Sequence, residues 1–270
     1  LGNYLMTQAV GEGKEKVDID ITKNEFLFEY EPFVGYSNPN CIATPILGIL
    51  LGFNEPEQPT AEQFEWLNLF LAEAESALVS YDFERIAEYF DIDSFVDFYI
   101  VNELFKDVDF STSSTRFYLK KGRLYAGPLW DMDLSSGNVS EEAGYYGEYW
   151  NSNTSGDSTE SFYCRKIWYR ELFGCQKFGE LVRKRYAKLQ PQIVNLTTDN
   201  ELGLNRIDRL IAKYGKSFAA NYEKAGWSVS YVYGEFESRY PAKTYEGNVE
   251  YLREWLIRRN AWLLHELGIS

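Results

Sequence analysis

A Lys120-Lys121-Gly122 turn between the β-rich runs 116–119 and 123–125 is the feature that most constrains this chain, because it folds residues 100–138 back on themselves as a tight hairpin. An acidic cluster stands on each side of that hairpin: Asp107 and Asp109 before it, Asp131 and Asp133 after it. A helix ending in NELFKDVD delivers Asn102, Asp107 and Asp109 to one end of the hairpin. Residues two apart in a strand face the same way, so the strand running into WDMD is expected to aim Asp131 and Asp133 at one point. Two readings of the clusters stay open at this stage. They form a divalent-metal site serving a nucleotide, or they are solvated turns and caps. Trp130 is likewise a stacking platform for a base or a core residue, Asn102 a ligand or a bridge within its own helix, and Asn138 a ligand or a turn residue.

Charge and residue usage narrow the function classes. The chain has 41 acidic and 27 basic residues among 270, a formal charge of −14, which repels nucleic-acid phosphates and anionic membrane surfaces. Nucleic acid is therefore not an expected partner. No apolar run approaches the roughly 18 residues that a membrane span needs, so no span is expected. The single histidine, His265, lies near the end of an amphipathic helix, which argues against Ser-His-Asp and Cys-His hydrolases and His-rich zinc enzymes. Three scattered cysteines, Cys41, Cys164 and Cys175, make neither a disulfide framework nor a zinc site. Hydrophobic content of 45%, with 17% aromatic residues, is enough for a sizeable core.

Periodicity and turn chemistry assign the elements. The runs 4–10, 17–21 and 26–30 are short and β-branched or aromatic, separated by GEGKEK and TKNE, and are expected as an antiparallel meander. Alternation in VDIDI buries Val17, Ile19 and Ile21 and exposes Asp18 and Asp20. GEGKEK precedes no apolar helix, so it is a turn and not a phosphate-cradling loop. Residues 32–59, rich in Gly, Pro and Asn with an apolar island at 46–51, read as a junction. A capping box at Thr60–Gln63 opens a helix over 60–79. Helices are further expected over 83–89, 93–105, 161–172, 175–189, 201–222 and 245–267, with a long Tyr- and Trp-bearing loop over 141–160 as a lid or a plain surface loop.

The motifs also resemble, in order, those of the spore-coat protein H (CotH) kinase family of atypical protein kinases. YLMTQAV, GEGKEKVDI and FLFEYE resemble its early strands. DSFVDFYIVNELFKDVD resembles its catalytic helix and segment, FYLKKGRLYAGPLWDMDLSSGN its hairpin and metal segment, and EYLREWLIRRNAWL its closing helix. The resemblance covers most of the chain and is most specific in GPLWDMD and VNEL. It implies a kinase-like two-lobed α+β fold in one domain. A truncated small antiparallel β lobe (1–33) passes through a junction (34–59) into a larger, mostly helical lobe (60–270) with a β-hairpin at the site. It implies transfer of the ATP γ-phosphate to hydroxyl groups of a protein substrate with magnesium. Asp109 matches the catalytic aspartate that orients or deprotonates the acceptor. Asp131 matches the metal-binding aspartate, Asp133 is its neighbour on the metal, and Trp130 offers an indole face to adenine. The resemblance also implies a secreted, cell-surface or spore-associated protein.

Some positions depart from the family pattern. Gln8 stands where the family often has glutamate, and Asp107 where it often has asparagine. The family segment that grips the phosphates with a basic residue is expected before Leu1, and Lys14, Lys16 and Lys23 are poor substitutes for it. Two rival readings come from other classes. One is a structural or surface-assembly protein that keeps the kinase-like fold without turnover. The other is a carbohydrate-binding or hydrolytic module, drawn from the aromatic loop and the abundant carboxylates.

Overall fold

The computed structural model describes residues 7–33, 39–111, 114–138, 158–224 and 244–269. Its five strands form one antiparallel sheet, in the order β2-β3-β1-β4-β5. They are β1 (Phe26–Tyr30), β2 (Cys41–Ala43), β3 (Leu50–Glu55), β4 (Arg116–Lys120) and β5 (Arg123–Ala126). The helices are α1 (Ala61–Val79), α2 (Phe83–Tyr89), α3 (Ile92–Phe105), α4 (Tyr169–Leu172), α5 (Gln176–Val194), α6 (Arg206–Lys224) and α7 (Tyr245–Glu266). The class is α+β, as expected.

The expected hairpin forms. Lys121 and Gly122 both take positive φ, 50° and 72°, the signature of a two-residue type I′ turn, and Lys120 pairs with Arg123 across it. The hairpin belongs to the same sheet as the early strands, because β4 pairs along β1 from Phe26↔Leu119 to Glu29↔Arg116.

The stretch read as a junction contains two strands of the sheet. Residues 41–43 and 50–55 are strands, and the apolar island runs into β3, where Leu50, Leu51, Gly52 and Phe53 are all buried. A strand covered on both faces has no alternation to betray it. The meander is corrected. Thr7–Val10 carries no strand, and 17–21 makes only an isolated parallel bridge, Glu12↔Val17, before a 3-10 turn at Ile21–Lys23 capped by Asp20. Its alternation is nevertheless real: Val17 and Ile19 pack with Leu27 on one face of the sheet while Asp18 is exposed. Residues 1–6 lie outside the described residues, as does the 141–160 loop except for its last three positions.

On the other face, Phe26, Phe28, Phe117, Leu119 and Leu124 meet the helices in one core. Phe117 sits edge-on to Trp168 at 4.9 Å between ring centroids and stacks on Phe95 at 5.8 Å. The Thr60–Gln63 capping box is present with both reciprocal bonds. Helix α3 lies at the centre, against β5, α5 and α7. Its near-continuous burial (Phe95, Val96, Phe98, Tyr99, Ile100, Leu104) follows from having neighbours on all sides.

The helix expected over 161–172 shrinks to Tyr169–Leu172. The amides of Tyr163 and Cys164 donate to the Glu103 carboxylate at 2.7 and 2.8 Å, and Ser161 and Ile167 take positive φ, so the chain there is spent on α3 and not on its own helical ladder. Helix α6 begins at Arg206 and not at 201, since Asn200 and Asn205 form the preceding turn and cap. Among the described residues no helix is long and apolar enough to cross a membrane.

Candidate functional site

Helix α3 ends because Lys106 adopts the left-handed conformation, φ 49° and ψ 61°, and its N–H closes back on the carbonyls of Asn102 and Glu103. The chain then turns through a 3-10 segment, Val108–Ser111, which carries Asp109 half-buried at the surface. Asp107 points inward and is 2% exposed; its Oδ1 accepts the Asp109 N–H at 3.2 Å. The Lys106 ammonium is buried and donates to the carbonyls of Ser158 and Glu160 at 2.8 and 3.2 Å.

The second acidic cluster is not on a strand. β5 ends at Ala126, where Gly127 donates the last sheet bond to the Arg116 carbonyl at 2.9 Å and Pro128 has no N–H to continue it. The expectation that Asp131 and Asp133 share a strand face is therefore overturned. Asp131 is in the left-handed region at φ 53°, a conformation aspartate tolerates, and 131–138 is a run of turns. Those turns are closed by Ser135 Oγ to the Met132 carbonyl, 2.7 Å, and Asn138 Nδ2 to the Asp133 carbonyl, 2.8 Å. Asn138 is thus a turn residue. Asn102 acts within its helix, donating to the Phe98 carbonyl at 2.8 Å.

Two backbone bonds sew the acidic turns together. Val108 N–H donates to the Leu134 carbonyl at 3.0 Å, and Ser136 N–H to the Phe105 carbonyl at 2.5 Å. The electrostatics register the result. Burial first, then the nearby carboxylates of Asp109, Asp133 and Asp131, push Asp107 up to about 8, against the opposing pull of the Asp109 N–H. Asp131 is also raised, by partial burial and by Asp133 beside it, while Arg116 and Ser114 pull the other way. Burial lifts the Tyr163 phenol out of the ordinary range, with Asp107 and Asp109 among the charges that add to it.

A cleft of about 750 Å³ opens in front of the second cluster. Trp130, Asp131 and Asp133 line it together with Gln8, Val10, Lys16 and Val17. Trp130 is half-buried: the Arg116 guanidinium lies over its ring, 4.8 Å from the centroid, and is tied to Glu29 at 2.8 Å. Lys16 belongs to the cleft lining, whereas Lys23 pairs with Asp20 at 2.8 Å. Asp107 and Asp109 are not among the cleft's described lining residues.

The donor set is all carboxylate oxygen, which suits magnesium and not a soft metal. Among the described residues no three carboxylate, histidine or cysteine groups close on a common point as a finished metal cage. Magnesium needs no such cage, since it commonly takes one or two carboxylates and completes its shell with water and phosphate oxygens. The residues present fit that mode of binding.

Reading from sequence overlooked Arg116, the cross-strand partner of Glu29, although opposite charges on paired strands are a usable signal once the β1–β4 register is known. It also overlooked the Glu103–Arg259 pair at 2.6 Å, both buried, which joins the last turn of α3 to the closing helix α7. Arg259 further donates to the carbonyls of Thr159 and Ser161, at 3.0 and 2.7 Å.

Searches of curated proteins and of solved structures each return no match. The family model described as CotH kinase protein matches residues 51–263, a span that runs from β3 to the last turns of α7 and holds both acidic turns, the hairpin between them and the Glu103–Arg259 pair. On that match the chain belongs to the CotH kinase family.

Proposed function

We propose that this chain is an atypical protein kinase-like phosphotransferase that moves the γ-phosphate of ATP to a hydroxyl of a protein substrate with magnesium, on a two-lobed kinase-like framework. The observation that carries the reading is the backbone pairing of the two acidic turns, Val108 N–H on the Leu134 carbonyl at 3.0 Å and Ser136 N–H on the Phe105 carbonyl. Such a concentration of carboxylates beside a cleft calls for a cation. Phosphoryl transfer asks a protein mainly for positioning and charge neutralisation, which suits a site built without histidine. Family membership supports the kinase-like reading, and we extend the proposal to a secreted, cell-surface or spore-associated setting.

In this reading Asp131 and Asp133 hold magnesium, which when bound neutralises phosphate charge and orients the triphosphate. Trp130, backed by Arg116, presents its other face to adenine. Lys16, which also lines the cleft, supplies a cation. Asp109, half-buried on its 3-10 turn, orients the acceptor hydroxyl and takes its proton. Asp107 keeps its proton near neutral pH and so adds no further negative charge until a cation arrives. Transfer of label from γ-labelled ATP to protein, present in the native chain and lost in Asp109→Ala, is the test; equal transfer by both proteins contradicts the assignment.

A second reading is a kinase-like surface-assembly protein without turnover. It is favoured by the open arrangement of the carboxylates, no three of which close on one point among the described residues. ATP binding with no transfer to any protein, in native chain and variant alike, would select it.

A further inference from the structure

A second cavity, of about 370 Å³, lies where the end of β1 and the β2–β3 loop meet the chain ahead of α4. That volume falls in the range of small-molecule pockets, about 300–1,000 Å³. Its walls are of two kinds. Tyr30, Pro32, Leu47 and Ile49 supply an apolar and aromatic side, and Arg165, Lys166 and Arg170 supply three cations; no carboxylate is among its described lining residues. In a chain of net charge −14 this local reversal of sign is a specific feature.

The cavity is held open by one buried carboxylate. Glu75 of α1, wholly buried, accepts from Ile46 N–H and Leu47 N–H on one wall, both at 2.9 Å, and from Trp168 Nε1 beside the other wall, also at 2.9 Å. Both walls are therefore fixed by the same side chain before any ligand arrives, which removes ordering cost from binding. The cationic wall is strained as well. Ile167 sits at φ 56°, a region that a β-branched residue rarely occupies, and it is kept there by Trp168 on one side and by the Glu103 clamp on Tyr163 and Cys164 on the other. Burial lowers the Lys166 ammonium to about 8. The Arg165 guanidinium is fixed over Phe162 and Phe173, at 4.2 and 4.4 Å, and Arg170 is oriented at the mouth by Glu171 at 2.8 Å.

We propose that this cavity binds a phosphate monoester, the dianion seated among Lys166, Arg165 and Arg170 and the organic part against Tyr30, Leu47 and Ile49. Two guanidinium groups and an ammonium match a dianionic, multiply accepting head better than a single carboxylate. The site is separate from the acidic cleft, with which it shares no lining residue, and does not depend on the kinase reading.

Calorimetric titration of the native chain in magnesium-free buffer tests it, with inorganic phosphate, a simple alkyl phosphate and a phosphoserine peptide as probes. Saturable binding is expected, weakened about tenfold or more by Lys166→Met and by Arg170→Glu and unchanged in Asp131→Ala. A peptide that binds more tightly than the alkyl phosphate identifies a phosphoprotein as the source, and equal binding identifies a small phosphate ester. Arg170 is exposed, so Arg170→Glu decides the matter if Lys166→Met fails to fold. No saturable binding of any probe, or binding that survives the charge reversal, overturns the proposal.

Discussion

Val108 donates its backbone N–H to the carbonyl of Leu134 at 3.0 Å, and that bond sets the distance between the two acidic turns. Neither residue is acidic or reactive. Their pairing, with Ser136 N–H on the Phe105 carbonyl, makes the end of α3 and the segment after β5 into one body. The two acidic turns are positioned by main chain, so substitutions of their aspartates should alter charge without moving the backbone.

The pH dependence of stability follows from Asp107. Its folded pKa, about 8, lies above its ordinary value of 3.8, so between those values the native state holds a proton that the unfolded chain has released. Stability from this group is fully present at the acidic end, falls as pH rises from about 4 to about 8, and levels beyond. Asp107→Asn should remove that slope. Urea unfolding across the window in magnesium-free buffer checks it; an unchanged slope in the variant contradicts it.

Gly137 sits at φ 77° with its α-carbon against α7: a Cβ there would meet Trp255 Cδ1 and Nε1 and the Tyr251 hydroxyl, each at 2.7 Å. Both the conformation and the space require glycine. Gly137→Ala should cost about 1–3 kcal/mol and shift the turn that holds Asp133, lowering stability and nucleotide binding together. Binding that stays intact in a destabilised protein would separate the turn from the site.

Glu103 and Arg259 form a buried pair at 2.6 Å. Removing one partner leaves the other charged and without its counterion, so Arg259→Met should lose about 3–5 kcal/mol in denaturant unfolding. Adding Glu103→Leu to Arg259→Met should recover part of the loss, but not all, because Glu103 also accepts from Tyr163 and Cys164. A loss under about 1 kcal/mol, typical of a surface pair, would contradict the burial assigned to them.

Arg116→Lys keeps a charge opposite Glu29 but removes the planar guanidinium that lies over Trp130. Trp130 should become more accessible, its hold weakened by about 0.5–2 kcal/mol. Acrylamide quenching, taken as the difference between each protein and its Trp130→Phe counterpart, measures this; identical quenching contradicts it.

Local signals carried the parts of the fold that depend on local chemistry. Thr60–Gln63 announced α1, the Lys121-Gly122 turn announced the β4–β5 hairpin, and long amphipathic runs announced α5 and α7. What failed depended on partners distant in the chain. β3 is flanked by β1 and β2 and buried over its first four residues, so its pattern was a plain apolar run; β2 is three residues long. VDIDI alternates as a strand does, but has only a bridge to Glu12. The residues 161–168 look helical until Glu103, some sixty positions away, takes two of their amides. At the candidate site the sequence showed the carboxylates of Asp109, Asp131 and Asp133 but not the turns that carry them. Pro128 ends the sheet before Asp131, and the convergence is then set by Val108 and Leu134, which carry no chemical signal at all.

Thermal unfolding with ATP, with and without magnesium, tests the central claim most directly, because a ligand of the native state raises the melting temperature by mass action. ATP should raise it only when magnesium is present, and Asp131→Ala should abolish the rise. A rise of the same size in Asp131→Ala, or one in the native chain that does not need magnesium, would contradict the account.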